Sequence, residues 1–505
     1  MVRSLVLFTV CLILISGCSP ATSRPRDPGT LHWGLAGVVD IPTLDPALAS
    51  DPVSINVCSL IYGGLVRLDQ HLHAVPDGAT RWTISHRGTI YTFHLRHDLR
   101  YANGRRVHAA DIAASLQRAL GPDGAAGPAA VYLADIAAHG VTAPNDATVR
   151  IVLTHPAAQF LTELAFPTAF VPEPDLPARY GSAWTSHAAG FGPFAVQSWQ
   201  HGRSLRLVRN RYYYGGLPKV RRIVLQMYGS DAAGVRAYRS GAVDVLSGLP
   251  PAQALPHVSG ARAMPALAMD YLAFNTTRLP FRRLDVRHAF AAAAGDPLAV
   301  MQGTAFPAAG FLPSAFGINV PLWTPHRSAA DYLARAHYPR GRGFPEVALV
   351  LPRDPHLIAL AHRLTARWRQ ELGVVVAIRP LNPTNYTTVL DSRQFDVALV
   401  RWGGDYPDPQ DFLGTQIGPS SDNVTGWTGP IYARLLAEAS RLPPAGASRA
   451  ALFRTAASLA ETHLPIYPLD EPAVTAAIRP GWSGLSLTGL GTISGEWSHV
   501  QDTTP

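Results

Sequence analysis

The sequence predicts an α/β protein of more than one domain, and three observations carry that expectation. At 505 residues the chain is too long for one hydrophobic core, so two or three domains of ~100 to 200 residues are expected. Hydrophobic residues make up 47% and charged ones 15%, a balance that folds. From Phe344 the apolar pattern alternates: strand 347–351, helix 356–372, strand 374–378, helix 384–390, strand 395–400. That alternation argues for a mainly parallel sheet with helices on its faces. In open sheets of this kind ligands bind beyond the carboxyl ends of the strands.

Taken in order, residues 1–17 hold one charge, Arg3, then an apolar run from Leu5 to Ile15 and the small pair Ser16-Gly17. The run is shorter than the ~20 residues of a membrane-spanning helix, and its flanks suit a cleaved export signal. Residues 18–29 are polar and rich in breakers, as a tether is, and folding is expected to start near Leu31. Removing the signal leaves Cys18 and Cys58 as the only thiols, which excludes a disulfide within the folded body. Cys58, in I-N-V-C-S-L-I-Y, reads as a buried structural thiol.

Leu31 to Asp40 is strand-like, and I-P-T-L-D-P ends it with proline turns. A helix is expected over Val53 to Tyr62, closed by Gly63-Gly64. Ile90 to Leu95 alternates as a strand, followed by an Asn103-Gly104 turn and an amphipathic helix. Gly190 to Phe194 leads into two strands joined by a hairpin at His201-Gly202. Ile431–Ala439 and Ser448–Thr462 read as amphipathic helices, and L-P-I-Y-P-L as a returning strand.

The chemistry concentrates in Phe395 to Leu413, F-D-V-A-L-V-R-W-G-G-D-Y-P-D-P-Q-D-F-L. The strand is expected to break at Gly403-Gly404. Asp408-Pro409-Gln410-Asp411 then reads as a helix start, with Asp408 capping, Pro409 at the first position and an acid in the first turn. Asp405 has no such duty: it follows a strand end and two glycines, between Trp402 and Tyr406. From the residues alone, a ligand-facing carboxylate and a turn cap or surface ion pair explain it equally well.

The W-x-x-D-Y-P-D-P-x-x-F-L run resembles the signature segment of the periplasmic oligopeptide- and dipeptide-binding proteins of ABC importers, solute-binding protein family 5. T-L-D-P, I-Y-G-G-L-V-R-L-D, L-x-A-V-P-D-G-A-T-R-W and G-F-G-P-F follow that family's order and spacing. Asn103 and Arg105-Arg106 depart from its turn, where aspartate, a small residue and proline are usual. The resemblance implies a two-lobe periplasmic-binding-protein-like α/β fold of type II, with an extra subdomain inserted in lobe I. It implies lobe I over 30–275 with the insertion about 48–185, lobe II over 276–475, and a return to lobe I over 476–505, with a hinge placed at the 271–275 strand. It further implies that Asp405 salt-bridges the α-ammonium of a peptide clamped between the lobes. Trp402, Gly403, Gly404, Tyr406 and Arg401 would form the wall and strand edge, and Ser50, Asp51 and Pro52 would make backbone contacts. The I-S-G-C end resembles a lipobox, which implies lipid attachment at Cys18.

The implied protein is a monomeric membrane-anchored lipoprotein, in the periplasm or at the cell surface, that captures peptides and delivers them to the transmembrane subunits of an ABC permease. Nickel chelates, haem or sugars are alternative ligands on the same fold, and an envelope lipoprotein hydrolase is the alternative from another class. Nucleophile elbows, H-E-x-x-H helices, C-x-x-C pairs and Walker loops are missing, so no catalytic residue, metal or cofactor is assigned. The formal charge of +8 reads as dispersed arginines, without the clustering that nucleic-acid binding needs.

Overall fold

The computed structural model of the protein describes residues 27, 29–122, 127–251, 256–295, 305–308, 310–418, 420, 422–444 and 446–503. The expected signal segment and Cys18 lie outside them. The labels used below are β1 (Thr30–Ala36), α1 (Pro52–Ile61), β2 (Ala79–Ser85), β3 (Ile90–Leu95), α2 (Ala109–Ala119), β4 (Ile136–Asn145) and β5 (Thr148–Leu153). They continue with β6 (Phe194–Gln200), β7 (Ser204–Arg209), β8 (Arg222–Tyr228), β9 (Val245–Ser247), β10 (Ala261–Pro265), β11 (Ala268–Phe274) and α3 (Leu284–Ala294). The last are β12 (Val347–Pro352), α4 (Pro355–Leu372), β13 (Val376–Leu381), α5 (Pro383–Asp391), β14 (Val397–Gly403), α6 (Pro430–Ala439), α7 (Ala447–His463) and β15 (Ile466–Ile478).

The 344–403 region alternates as its periodicity predicts, and β12 pairs in parallel with β13 and β14. The expected mainly parallel sheet is not found: β11 pairs antiparallel with β14 and β15, β9 and β10 with β15, and β7 with β6 and β8. Asp354 caps α4 through Leu357 N–H, Asn382 caps α5 through Asn385 N–H, and each helix opens on a proline whose missing N–H costs nothing there. These strands belong to a 12-stranded sheet ordered β13-β12-β14-β11-β15-β9-β1-β8-β7-β6, with β10 and the short strand Ala305–Pro307 also on β15. The inserted subdomain is a separate antiparallel sheet, β2-β3-β5-β4, with α2 packed on β4 and β5.

β15 joins the two lobes. Its first part, Ile466 to Asp470, lies against β11, and its second, Ala473 to Ala477, against β10. A second crossing runs beside it, where Ala266 N–H donates to the Pro472 carbonyl at 2.7 Å. The core changes there too: Leu267 and β11 pack with residues reaching to Leu469, whereas Leu31, Val245 and Ala476 belong to the lobe I core. The expected change of lobe after Asn275, with the hinge in β11, therefore falls later in the chain than the change of core, because β11 is bonded along its whole length to β14.

Folding begins earlier than Leu31. Asp27 pairs with Arg221, and the Gly29 carbonyl accepts the N–H groups of Arg221 and Arg222, which pins the last residues of the expected tether. Cys58 is fully buried and free.

Candidate functional site

β14 runs farther than its apolar composition indicates. Gly403 stays in the strand opposite Ala268, and Gly404 N–H donates to the Leu267 carbonyl at 2.7 Å. The strand therefore ends at least one residue later than the break expected at this pair, because β11 supplies partners along the whole edge. A Cβ on Gly404 would meet Leu267 and Phe412 at 3.0 Å, so packing demands that glycine, while one on Gly403 would meet nothing within 4 Å.

The other edge of β14 is paired with β12 only at Val397 and Ala398. From Leu399 to Gly403 no described strand lies on it, and the Tyr386 hydroxyl caps the Leu399 carbonyl at 2.9 Å. Such an edge presents unpaired main-chain donors and acceptors to an extended chain.

Asp405 stands just past this edge. Its N–H donates to Asp411 Oδ2 at 2.8 Å, yet its own carboxylate meets no hydrogen-bond or ion-pair partner among the described residues. Burial, then the Asp422 charge, push its pKa up to about 6. The neighbouring aspartates are committed. Asp408 accepts Gln410 N–H at 2.9 Å, as a cap does, but its main partner is distant: Arg449 forks onto it at 2.7 and 2.9 Å, both side chains being buried. Asp411 is in the first turn, as expected, and there it is a buried brace: its Oδ2 also takes the Trp402 indole N–H at 3.4 Å, and Oδ1 has no partner among the described residues. It starts a single π-helical stretch, Asp411–Thr415.

The inserted subdomain closes on this loop. Tyr406 is 8% exposed and packs in the core built from Tyr91, Phe160 and Phe166 of the insertion. Glu163 of the insertion is buried, and desolvation with the charges of Asp135, Asp408 and Asp411 holds its carboxyl far above the usual range. Asp411 is raised strongly as well, by burial and then by Asp405. Burial pushes both toward the neutral form, whereas Asp405, with a pKa of about 6, is ionised near pH 7 and has no hydrogen-bond or ion-pair partner among the described residues. The Tyr132 phenol of the insertion also feels Asp405 and Asp411.

Arg401 is already paired: Nε and Nη2 donate to Asp270 at 2.8 and 2.7 Å. Asp51 caps α1 by accepting Val53 and Ser54 N–H, Pro52 opens that helix, and Ser50 is exposed beside it. No described hydrogen bond or ion pair joins these three to the Asp405 loop. A cavity of about 920 Å3 lies elsewhere, where α1 and the C-terminal 484–499 segment face the insertion, lined among others by Arg67, Asp77, Tyr214 and Trp497. None of the residues expected at the site lines it.

Sequence reasoning missed a ladder on three adjacent strands. Arg401, Asp270 and Asp470 are direct partners across β14, β11 and β15. Asp470 is 0% exposed, and neither carboxylate oxygen has a hydrogen-bond partner. The signal was legible: A-M-D-Y-L-A-F and I-Y-P-L-D-E-P each place an acid inside an apolar strand pattern. Burial, then the Asp270 charge, raise the Asp470 carboxyl; Arg401 opposes this and Glu471 adds to it, while Asp354 and His356 act on Asp270. A carboxyl held protonated in the fold but ionising near 3.9 when unfolded makes the native state lose stability as pH rises from about 4 toward the raised native value. Asp470→Asn should therefore raise the unfolding midpoint, with a gain that is small at pH 4 and grows to pH 8. Melts across that range check this, and an equal shift at every pH would refute the buried acid.

Fold and site together define a two-lobe solute-binding protein. The family model for bacterial extracellular solute-binding proteins, family 5, matches residues 73–423, and the chain belongs to that family. It is 26% identical to the probable deoxycholate-binding periplasmic protein YgiS of Escherichia coli K12, over 88% of this chain and 89% of that one. It is also 26% identical to the periplasmic oligopeptide-binding protein OppA of the same strain, over 88% of each chain. Among solved structures, the murein tripeptide binding protein MppA in its unliganded open form shares the fold, with a TM-score of 0.83 at 24% identity over 95% of this chain and 98% of that one. No described helix is long and apolar enough to cross a membrane.

Proposed function

We propose that this protein captures di- or oligopeptides outside the cytoplasm and hands them to an ABC permease, held at the membrane by a lipid on Cys18. One observation carries the ligand class: the unpartnered Asp405 carboxylate at the end of a strand whose outer edge is open from Leu399 to Gly403. A peptide presents a primary ammonium and then a repeating main chain, and the site offers an anion followed by a row of main-chain partners. Oligopeptide binding by OppA and murein tripeptide binding by MppA support this reading. YgiS, named for a bile acid, is the contrasting case, and an anionic ligand would be repelled by Asp405. The lobes turn about the paired crossings at 265–267 and 471–473, and no residue is given a catalytic role.

Native mass spectrometry of the purified protein, with the ligand identified after denaturation, tests the class. Co-purified peptides support it, and a steroid, chelate or sugar in their place would overturn it. Affinity should also depend on pH. The ammonium requires an ionised Asp405, so affinity is flat above pH 7 and falls about tenfold per unit below the pKa of about 6. Calorimetry between pH 4.5 and 8 measures this, and a flat profile would remove Asp405 from the contact.

A further inference from the structure

The basic residues that read as dispersed in sequence are gathered by the fold at one end of lobe I. Between Arg203 and Ser230 lie Arg203, Arg206, Arg209, Arg211, Lys219, Arg221 and Arg222, with no acid among them. Antiparallel pairing of β7 and β8 brings the last five of these to the loop end of the two strands. The loop is held in shape: Arg209 Nη1 donates to the Pro218 carbonyl at 3.1 Å, and Lys219 Nζ to Gln501 Oε1 at 2.8 Å. Arg211 is exposed and makes no hydrogen bond or ion pair among the described residues, and Arg206 points outward from β7 opposite Ser198 and Val224. Tyr212 and Leu217, in the same loop, are 48% and 51% exposed. The nearby acids are Asp27, shared by Arg221 and Arg222; Glu496, paired with His499, in the segment whose Trp497 carbonyl accepts Lys219 N–H; Asp502, next to the Gln501 that accepts from Lys219; and Asp77, which accepts the Tyr214 hydroxyl.

The N-terminal chain enters the body at the same end. Thr30 is the register partner of Arg222, and Gly29 is bonded to Arg221 and Arg222. The residues just before it add Arg24 and Arg26. A chain spans at most ~3.6 Å per residue, so the stretch from Cys18 to Gly29 reaches no more than ~40 Å. An attachment at Cys18 therefore keeps this end of lobe I close to the surface that holds it.

We infer that the β7–β8 loop end of lobe I, which carries Arg211, Arg221 and Arg222 with exposed Tyr212 and Leu217, docks on an anionic phospholipid surface, with Arg206 farther along β7 adding to the same charge. The arginines lie within reach of headgroup charge, and each adds roughly fivefold to partitioning. Tyr212 and Leu217 supply the amphipathic and apolar contacts that settle at the headgroup boundary. Docking sets which way the body faces on the membrane, which attachment through a single residue does not do. The inference uses the proposed attachment at Cys18 to choose the surface and is independent of the peptide site.

The test is hydrogen exchange of the full chain in vesicles of phosphatidylcholine alone and of phosphatidylcholine mixed with phosphatidylglycerol. Amides of 210–221 are expected to exchange more slowly in the anionic vesicles only, and the difference should vanish at high salt. Arg206→Glu with Arg211→Glu, two exposed positions whose side chains bond nothing described, should abolish the difference without moving the melting temperature. Equal exchange in both vesicle types, or slowing that survives the double reversal, would overturn the inference. Ligand calorimetry on the same samples separates its failure from failure of the peptide reading, because Asp405 is untouched.

Discussion

Asp405→Asn is expected to abolish ligand binding while leaving the fold intact. Truncating one partner of a desolvated charge pair typically costs ~2 to 5 kcal/mol, much of it from the stranded partner. Here the stranded group would be the ligand ammonium, beside Asp411 and Glu163, whose carboxyls burial pushes toward the neutral form. The fold should not suffer, because the carboxylate bonds to nothing described. Its pKa is raised to about 6, so ionising it at neutral pH costs native stability that the unfolded chain does not lose. Asparagine removes that cost. The variant should melt no earlier than the parent at pH 7, by up to about 2 kcal/mol in its favour once partial exposure is allowed for, and the gap should close toward pH 4. Calorimetric affinity with melting curves gives both readouts. Retained affinity would sink the ammonium contact, and a large destabilisation would show that Asp405 is structural.

Arg449→Met should be the most damaging single change to stability. Arg449 forks onto Asp408, donates to the Ala439 carbonyl at 3.1 Å and lies over the Phe453 ring at 4.7 Å. Removing the guanidinium leaves a buried carboxylate without its counter-charge, a loss of about 3 to 5 kcal/mol. Asp408→Leu in the same chain should recover most of it, since two apolar side chains in place of a buried pair are close to neutral. Ligand affinity should fall in the single variant, because the pair ties α7 to the turn that carries Asp405 and Asp411. Denaturant unfolding of both singles and the double closes the cycle. Singles that each lose under about 1 kcal/mol would mean that the pair holds nothing in place.

How far the site was legible depended on the range of the interaction. The α4 and α5 caps, Asp354 and Asn382, sit within three residues of the N–H groups they satisfy, so the sequence displays both ends of each bond. The β12-α4-β13-α5-β14 alternation is equally local. The end of β14 was not, because Gly403 carries no β-propensity of its own and is held by Ala268 across the sheet. Tyr406 looked like a ligand wall beside Asp405, but its ring is taken by the core of the insertion. Arg401, expected at the wall of the site, is instead paired with Asp270 on the neighbouring strand. Asp270 and Asp470 were each visible as misplaced acids, yet nothing local shows that two such strands become neighbours.

The sequence by itself determined the α/β class, the parallel unit over 347–403, the strand whose carboxyl end carries the 404–411 loop, and three aspartates in that loop. Tertiary structure alone decided which of the three is available. Asp408 is neutralised by Arg449, 41 residues away, burial pushes Asp411 toward its neutral form, and Asp405 is left half-buried with no partner among the described residues. Periodicity and capping are satisfied within a turn or two of chain. Whether a carboxylate keeps its charge depends on which cations and how much water the whole fold brings to it.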